Sequence, residues 1–589
     1  MSVEGGVAGG LDEPAQLEPE PGSLDLASPE DDWTLADWEK GAAAVLRKAR
    51  RLGDDDADDL VWAKLTRTTL DGIGVTPLGT RALLDEVQTA GRPARQGDWD
   101  VRAQVDGADP KLANEELLAD LEGGVTSLWL RGGAELGTLL EGVQLDLAPV
   151  VLDGVEPTAF LAYAEGRQLH PGTNLGVPAA EATAELAGTA LDRGVLGFVV
   201  DATSVHDRGA SDVQELGWSL AAGAAYLRAL TDAGITVADA ARLVEFRYAA
   251  TDEQFLTIAK LRAARRLWAR VLELSGSADV PQRQHVVTSR PMMTRYDPYV
   301  NMLRTTVAAF AAGVGGADAV TVLPFDSPLG RPEQFGRRIA RNTSHLLIDE
   351  AHVAHVADPA GGAYAVEKLT DDLALAAWDL FGRLDDGPDS DRVLDEAIAE
   401  TVAKREAEIA RRKRPITGLS EFPNAAEVLP ERAAYDGWAG VRAYGAAFEA
   451  LRDDPAPAPV FLATLGTIAT HTARATFATN LFAAGGIAVE VAGPTADPGE
   501  VVAAYSGQRV VCLAGADPTY AEWGAEAATA LREAGAQHVI IAGKPTALAD
   551  AASVDDACAL GVDALDFLTR TRLVLSSRGT SVIEGEKLS

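Results

Sequence analysis

His352 and His355 stand three residues apart in the stretch IDEAHVAHVAD. That spacing puts two imidazoles on one helix face, where they could hold a metal ion. Asp349, Glu350 and Asp358 lie nearby, but none is clearly placed to complete a ligand set, so a packing or surface role is the simpler reading. Two other histidines have the chemistry for acid–base work or ligation: His206 in VVDATSVHDRG and His471 in LGTIATHTAR. The two cysteines, Cys512 in the apolar run VVCLAG and Cys558 in an alanine-rich run that reads as helix, supply neither a disulfide framework nor a zinc spacing and read as packing residues. No Walker loop, no Gly-x-Gly-x-x-Gly after a strand and no His-Glu-x-x-His motif occurs.

The elements that would carry these residues alternate between short apolar strands and helices. The clearest unit runs from Val286 to Asp326. Val286–Thr288 reads as a strand, Pro291–Thr294 as the loop after it, and Asp297 before Pro298 as an N-cap. Val300, Leu303, Val307 and Phe310 then recur at helical spacing and predict one apolar face on a sheet. Gly313, Gly315 and Gly316 end the helix, and the run from Ala319 to Phe325 suits a buried parallel strand. Further strands are expected at Thr126–Arg131, Ala148–Leu152, Ala159–Ala164, Val195–Val200, Leu243–Tyr248 and Val320–Leu323, with helices such as Asp212–Ala233 and Thr251–Leu274 between them. Seven or eight such units in ~250 residues predict a closed (β/α)8 barrel of TIM type.

After three helices, Arg338–Ala351, Glu367–Phe381 and Asp391–Arg412, the proline-spaced segment from Asp453 to Pro459 marks a boundary. Beyond it, strands at Val460–Leu465, Ala488–Val491, Arg509–Leu513 and His538–Ala542 predict a small flavodoxin-like doubly wound α/β domain. The expected division is an acidic tail over 1–32, disordered or wrapped on a partner, a barrel with its extension and flanking helices over 33–415, a linker over 416–459, and the second domain over 460–589.

Charge narrows the partners. A formal net charge of -36 disfavours nucleic acid and anionic lipid surfaces, both of which call for clustered Lys and Arg. No basic region followed by an apolar core opens the chain, and no run of about 18 uncharged apolar residues predicts a membrane span. A cytoplasmic location is expected.

The block from Val286 to Asp326, with FLTIAKLRAARRLWARVL (255–272) and RRIARNTSHLLIDEAHVAHVADPAGGAYAVEKL (337–369), resembles the methylmalonyl-CoA mutase family, most closely its small (β) subunits. The likeness covers roughly Leu60 to Ser576. It implies a heterodimer with a homologous catalytic large subunit, in which adenosylcobalamin serves the interconversion of methylmalonyl-CoA and succinyl-CoA. It leaves room for an accessory GTPase chaperone. Catalytic members carry Asp-x-His-x-x-Gly, then Ser-x-Leu and Gly-Gly, around the cobalamin. At the matching places this chain has Ala469, His471 and Arg474, then Ala514-Gly515-Ala516, then Ala542-Gly543. The Tyr-His pair of the family's barrel falls on Thr203-Ser204, two residues short of His206. The Pro-Trp-Thr-x-Arg-Gln-Tyr segment keeps Trp99 and Arg102, but Gln104 replaces its tyrosine.

The expectation is therefore a non-catalytic small subunit, with no catalytic, cofactor-binding or metal-ligating residue on this chain and with the cofactor held by the large subunit. Two rivals stand beside it. One is a self-contained active acyl-CoA mutase using His471 and His206; the other is an acyl-CoA-binding regulatory module.

Overall fold

A computed structural model of the chain describes residues 32–576, apart from 86, 88–92, 94, 278–279, 386 and 388. The tail expected over 1–32 lies outside the described residues except for Asp32. Two compact units result, residues 1–68 with 74–78, and residues 69–73 with 79–589. In the smaller, helix Leu35–Lys48 starts at Thr34, whose hydroxyl accepts the Asp37 N–H while the Asp37 carboxylate accepts the Thr34 N–H. Ala43, Leu46, Leu52 and Val61 make its core, beside Trp38 and Trp62 with ring centroids 4.6 Å apart.

The larger unit begins with eight parallel strands: β1 (Asp100–Asp106), β2 (Ser127–Arg131), β3 (Val150–Asp153), β4 (Asn174–Pro178), β5 (Leu196–Asp201), β6 (Val244–Ala250), β7 (Arg283–Thr288) and β8 (Ala319–Thr321). Each pairs with the next, and Ala319 of β8 pairs with Asp100 of β1, closing the barrel. The long helices outside it are α1 (Asp212–Asp232), α2 (Gln254–Leu274), α3 (Val300–Val314), α4 (Gln334–His345), α5 (Tyr364–Leu384) and α6 (Ser390–Ala410). α1 opens on a capping box, in which Ser211 and Gln214 satisfy each other's backbone N–H.

Three expectations for this region need correction. Ala159–Ala164 is not a strand. Pro157–Tyr163 is a helix with proline in its first turn, and the fourth strand is Asn174–Pro178. The Asp297 side chain does not cap α3: the helix starts at Val300, and Asp297 takes φ +48° and donates its N–H to the Glu427 carboxylate. Finally, α3 buries its bulky face only in part: Val300, Val307 and Phe310 are half-buried, Phe310 against Ile258 and Val366. Asn301, Thr305, Ala308, Ala309 and Ala312 face inward while Leu303 is 67% exposed. Small residues let the helix approach the barrel so closely that a Cβ at Gly313 would stand 2.6 Å from the Trp99 ring.

The second sheet is β9 (Val460–Thr464), β10 (Val489–Val491), β11 (Val510–Ala514), β12 (His538–Ala542) and β13 (Asp556–Cys558), parallel throughout in the order β10-β9-β11-β12-β13. This is a flavodoxin-like arrangement. Cys558 lies in strand β13, not in a helix, because its run pairs with β12 as a short edge strand in which only Cys558 is buried. Helix α7 (Ile468–Ala484) follows β9. Segment 416–459 includes a helix, Ala446–Asp453. Its Phe448 shares an apolar core with Tyr296 from the loop after β7 and with Leu462 and Phe482 of the second sheet domain.

Candidate functional site

In closed α/β barrels, function gathers at the carboxyl ends of the strands. The residues there, and in the barrel interior below them, are charged. Arg102 of β1 points inside, donating from Nε to Ser127 Oγ at 2.9 Å and from Nη1 to Glu245 Oε1 at 2.9 Å. Glu245 also meets Arg283 at 3.4 Å. Burial raises the Glu245 carboxyl, but Arg102 and Arg283 outweigh it and hold it below its ordinary range. One level up, Arg247 of β6 stacks 4.2 Å over the Trp129 ring. It pairs with Asp201 at 2.6 Å and lies 3.9 Å from Asp153.

Arg247 Nε donates to His285 Nδ1 at 3.2 Å, so the His285 proton sits on Nε2, where Thr321 Oγ1 is 2.8 Å away. Burial, reinforced by Arg102, Arg247 and Arg283, holds this imidazole well below its usual pKa. It is a neutral, fully enclosed group.

His206 ends the short helix Thr203–His206 after β5. Its Nε2 lies 2.7 Å from Ser289 Oγ and its Nδ1 3.6 Å from Glu215 Oε2. Serine, histidine and carboxylate in a row suggest nucleophilic catalysis. However, Ser289 is 1% exposed and Glu215 is committed elsewhere, to the Ala249 N–H and to Lys260 Nζ, both at 2.7 Å. Thr203 and Ser204 turn back on Asp201, through its carboxylate and its carbonyl respectively. Neither reaches for a ligand.

The rim is crossed by segment 433–444. Ala433 O accepts the Arg331 N–H at 2.9 Å, Tyr435 OH donates to Gln104 Oε1 at 3.2 Å, and Arg442 and Tyr444 donate their N–H groups to Asp207 O and Pro291 O, each at 2.8 Å. These partners lie after β8, within β1, and after β5 and β7, so the segment straps the mouth. The cavity left beneath it, lined by Gln104, Arg290, Ser327, Arg331, Arg337 and Trp438, has ≈ 30 Å³. That is room for about two waters, against the ~300–1,000 Å³ of a small-molecule pocket. Arg290, Arg331 and Arg337 are bound to Asp207, Glu116 and Asp120.

In the second domain, a ligand would enter at the carboxyl ends of the central strands. His471 sits in the first turn of α7, 7% exposed, with Nδ1 3.3 Å from Gly466 O. Ala469 offers it no carboxylate. The groove between β11 and β12 is occupied by the chain's own side chains. Tyr520 OH accepts the Gly515 N–H at 2.9 Å and lies 2.9 and 3.0 Å from Leu513 O and Ala542 O, bridging the two strand ends. Over its ring, at 4.8 Å, lies the Arg474 guanidinium, which donates to Gly515 O at 2.7 Å, pairs with Asp517 and fills the space above Gly543. Arg474 thus lies where the sequence comparison with catalytic members expects a glycine.

His352 and His355 stack with ring centroids 4.6 Å apart. They do not share a regular helix face, because His352 takes φ +52° and ends the preceding turn. Asp358 pairs with Arg262 at 3.1 Å and Asp349 with His345 at 3.3 Å. Among the described residues no group of three or more His, Cys, Asp or Glu could hold a metal ion, and no helix is long and apolar enough to cross a membrane.

The model of the methylmalonyl-CoA mutase family matches residues 197–505. The chain is 44% identical to the methylmalonyl-CoA mutase small subunit of Streptomyces virginiae, over 93% of this chain and 98% of that protein. The chain belongs to the methylmalonyl-CoA mutase family. Two further relatives carry the same description. The small subunit of Propionibacterium freudenreichii subsp. shermanii is 36% identical over 94% of this chain and 97% of its own length. The probable small subunit of Mycobacterium tuberculosis (strain ATCC 25618 / H37Rv) is 39% identical over 88% and 94%. Arg247, Asp153, Asp201, His285 and Ser289, which build the interior and rim of this family member, were not singled out in the sequence. The signal was present in VEFRYAA and RQHVVT, where charged or polar residues at alternate positions of a strand mark a polar barrel interior.

Proposed function

We propose that this chain is the non-catalytic small subunit of an adenosylcobalamin-dependent methylmalonyl-CoA mutase, pairing with and stabilising a catalytic large subunit. The observation that carries this reading is that both places where chemistry would occur are filled from within. At the barrel mouth the arginines that could clamp a carboxylate or phosphate are held by Asp153, Asp201, Asp207 and Glu116. Among the described residues, the cavity beneath the strap is far smaller than an acyl-CoA. In the second domain Tyr520 and Arg474 fill the groove a cobalamin tail would need. The residues present do not fit that cofactor, and no step of the reaction is assigned to them.

On this reading, the radical rearrangement between methylmalonyl-CoA and succinyl-CoA takes place in the partner, where adenosylcobalamin is bound. The small subunit contributes an interface. An accessory GTPase chaperone would act on the assembled enzyme. The names of the relatives agree with a two-subunit arrangement.

The test is reconstitution with a methylmalonyl-CoA mutase large subunit from the same organism. The lone chain gives no turnover with methylmalonyl-CoA and adenosylcobalamin, the pair does, and His471→Ala in this chain leaves kcat of the pair within about twofold. Turnover by the lone chain, abolished by His471→Ala, would overturn the proposal.

A further inference from the structure

Arg67–Thr68 pairs antiparallel with Gly74–Val75 to make a short hairpin. Both of its strands group with the N-terminal unit, whereas the tip between them, residues 69–73, groups with the unit that contains the barrel. The tip is a tight turn. Thr69 donates its N–H to Ile73 O at 2.9 Å, Gly72 donates to Thr69 O at 3.1 Å, and Gly72 takes φ +84°, which a residue without Cβ adopts freely. Thr69 is buried. On one side the tip is held by α6, whose Lys404 donates from Nζ to Leu70 O at 2.9 Å and to Thr69 O at 3.3 Å.

On the other side the tip meets the start of α1. The first N–H groups of a helix find no acceptor within it. Ser211 Oγ accepts one of them, from Gln214, and the Asp71 carboxylate accepts another, from Val213. The Ser211 hydroxyl in turn donates to Asp71 Oδ1. Asp71 therefore caps α1 from outside the helix.

A helix N-terminus favours an anion, but the other surroundings of Asp71 oppose one. The side chain is half-buried. Asp212, the first residue of α1, acts on it as a second negative charge. Burial opposes the charge of Asp212 too, but Lys260, 2.9 Å away, outweighs burial and keeps that carboxylate ionised. The nearby cations are engaged elsewhere: Lys260 with Asp212 and Glu215, Arg405 of α6 with Gly209 O and Ala210 O, and Lys404 with the carbonyls of the tip. Burial, with Asp212, prevails over Ser211, Val213 and Lys404 and lifts the Asp71 carboxyl to about 6. A protonated carboxyl still offers an oxygen to Ser211 and Val213 while it escapes the repulsion from Asp212.

We propose that the hairpin tip 69–73 is a proton-operated latch, seated between α1 and α6 while Asp71 is protonated and loosened when Asp71 becomes a carboxylate. The seated tip binds the proton more tightly than the open one, so seating is firmest at low pH and weakens as pH rises through the seated pKa.

The test is hydrogen exchange of the full-length chain, read by mass spectrometry on peptides covering 67–75 and 211–215 and corrected for intrinsic exchange rates. Between about pH 5 and pH 7 the opening constant of both segments rises ~10-fold, as the shift of Asp71 requires. In Asp71→Asn, which keeps an acceptor oxygen and cannot ionise, it stays level. At each pH both segments open more readily than the α2 peptides. A level profile in the parent chain would overturn the proposal by itself, even if the Asn variant failed to fold. The same rise in a folded Asp71→Asn would overturn it as well, by moving the proton to another group. If the two segments and α2 shared one opening constant, the tip would open only with the whole fold, and there would be no latch.

Discussion

Replacing Lys260 by methionine tests whether the buried charge cluster between α1, α2 and β6 is a structural lock. Lys260 is fully buried on α2. Its Nζ lies 2.7 Å from Glu215 Oε2 and 2.9 Å from Asp212 Oδ1. Burial opposes its charge, but the two carboxylates outweigh burial and lift the ammonium above its ordinary pKa. Methionine keeps the length of the stem and removes only the cation. Asp212, with 19% side-chain exposure, can recover some hydration. Glu215, with none, keeps the Ala249 N–H and the His206 ring 3.6 Å away. Removing one partner of a buried ion pair costs ~3–5 kcal/mol, which at ~2–4 °C per kcal/mol for a large domain is a fall in Tm of about 6 °C or more. Urea unfolding followed by far-UV circular dichroism at pH 7 measures the loss. Lys260→Met/Glu215→Gln, which removes the stranded charge, recovers most of it. A loss below ~1 kcal/mol in the single variant would refute the reasoning, since the network would then add nothing to the fold.

Other outcomes follow from the same structure. Tyr520→Phe leaves the Gly515 N–H without its acceptor and costs ~1–3 kcal/mol, read by urea unfolding; a neutral result would mean that the hydroxyl does not hold the strand ends together. Gly313→Val forces a side chain against Trp99 and destabilises by ~1–3 kcal/mol, with a shift in tryptophan emission; an unchanged spectrum and midpoint would contradict the close approach of α3. Burial pushes the Asp71 carboxyl up to about 6, against the opposing hydrogen bond from Ser211. A folded pKa above the unfolded 3.8 means that the native state binds the extra proton, so stability falls as pH rises from about 4 to 6, by up to ~3 kcal/mol before solvent screening is discounted. Asp71→Asn should flatten that slope, and an unaltered slope in the variant would exclude Asp71 as its source.

The fold was legible where burial writes a continuous apolar run, as in Thr126–Arg131, Val195–Val200, Val460–Leu465 and Arg509–Leu513. It was illegible at β1 and β4. β1, DVRAQVD, alternates in a way that reads as surface, because Arg102 is satisfied by Glu245 across the barrel and not by water. β4, NLGVP, is short, and its Gly176 takes φ +69° so near β3 that a Cβ would stand 1.8 Å from Leu152 O; nothing in five residues announces that. The apolar period of α3 was legible, but not that small residues beside it would take the deepest positions and leave Leu303 outside. Ala469, Arg474 and Gln104 could be singled out in the sequence. That Tyr520 bridges two strand ends of the second sheet and that 433–444 crosses the barrel rim could not be, because both come from segments distant in sequence.

The most direct measurement is a titration of the purified lone chain with adenosylcobalamin, followed by its visible absorbance, and then of the chain mixed with the large subunit. The account predicts no spectral change with the lone chain and saturation at one cofactor per heterodimer in the mixture. Saturable binding by the lone chain, removed by His471→Ala, would contradict it.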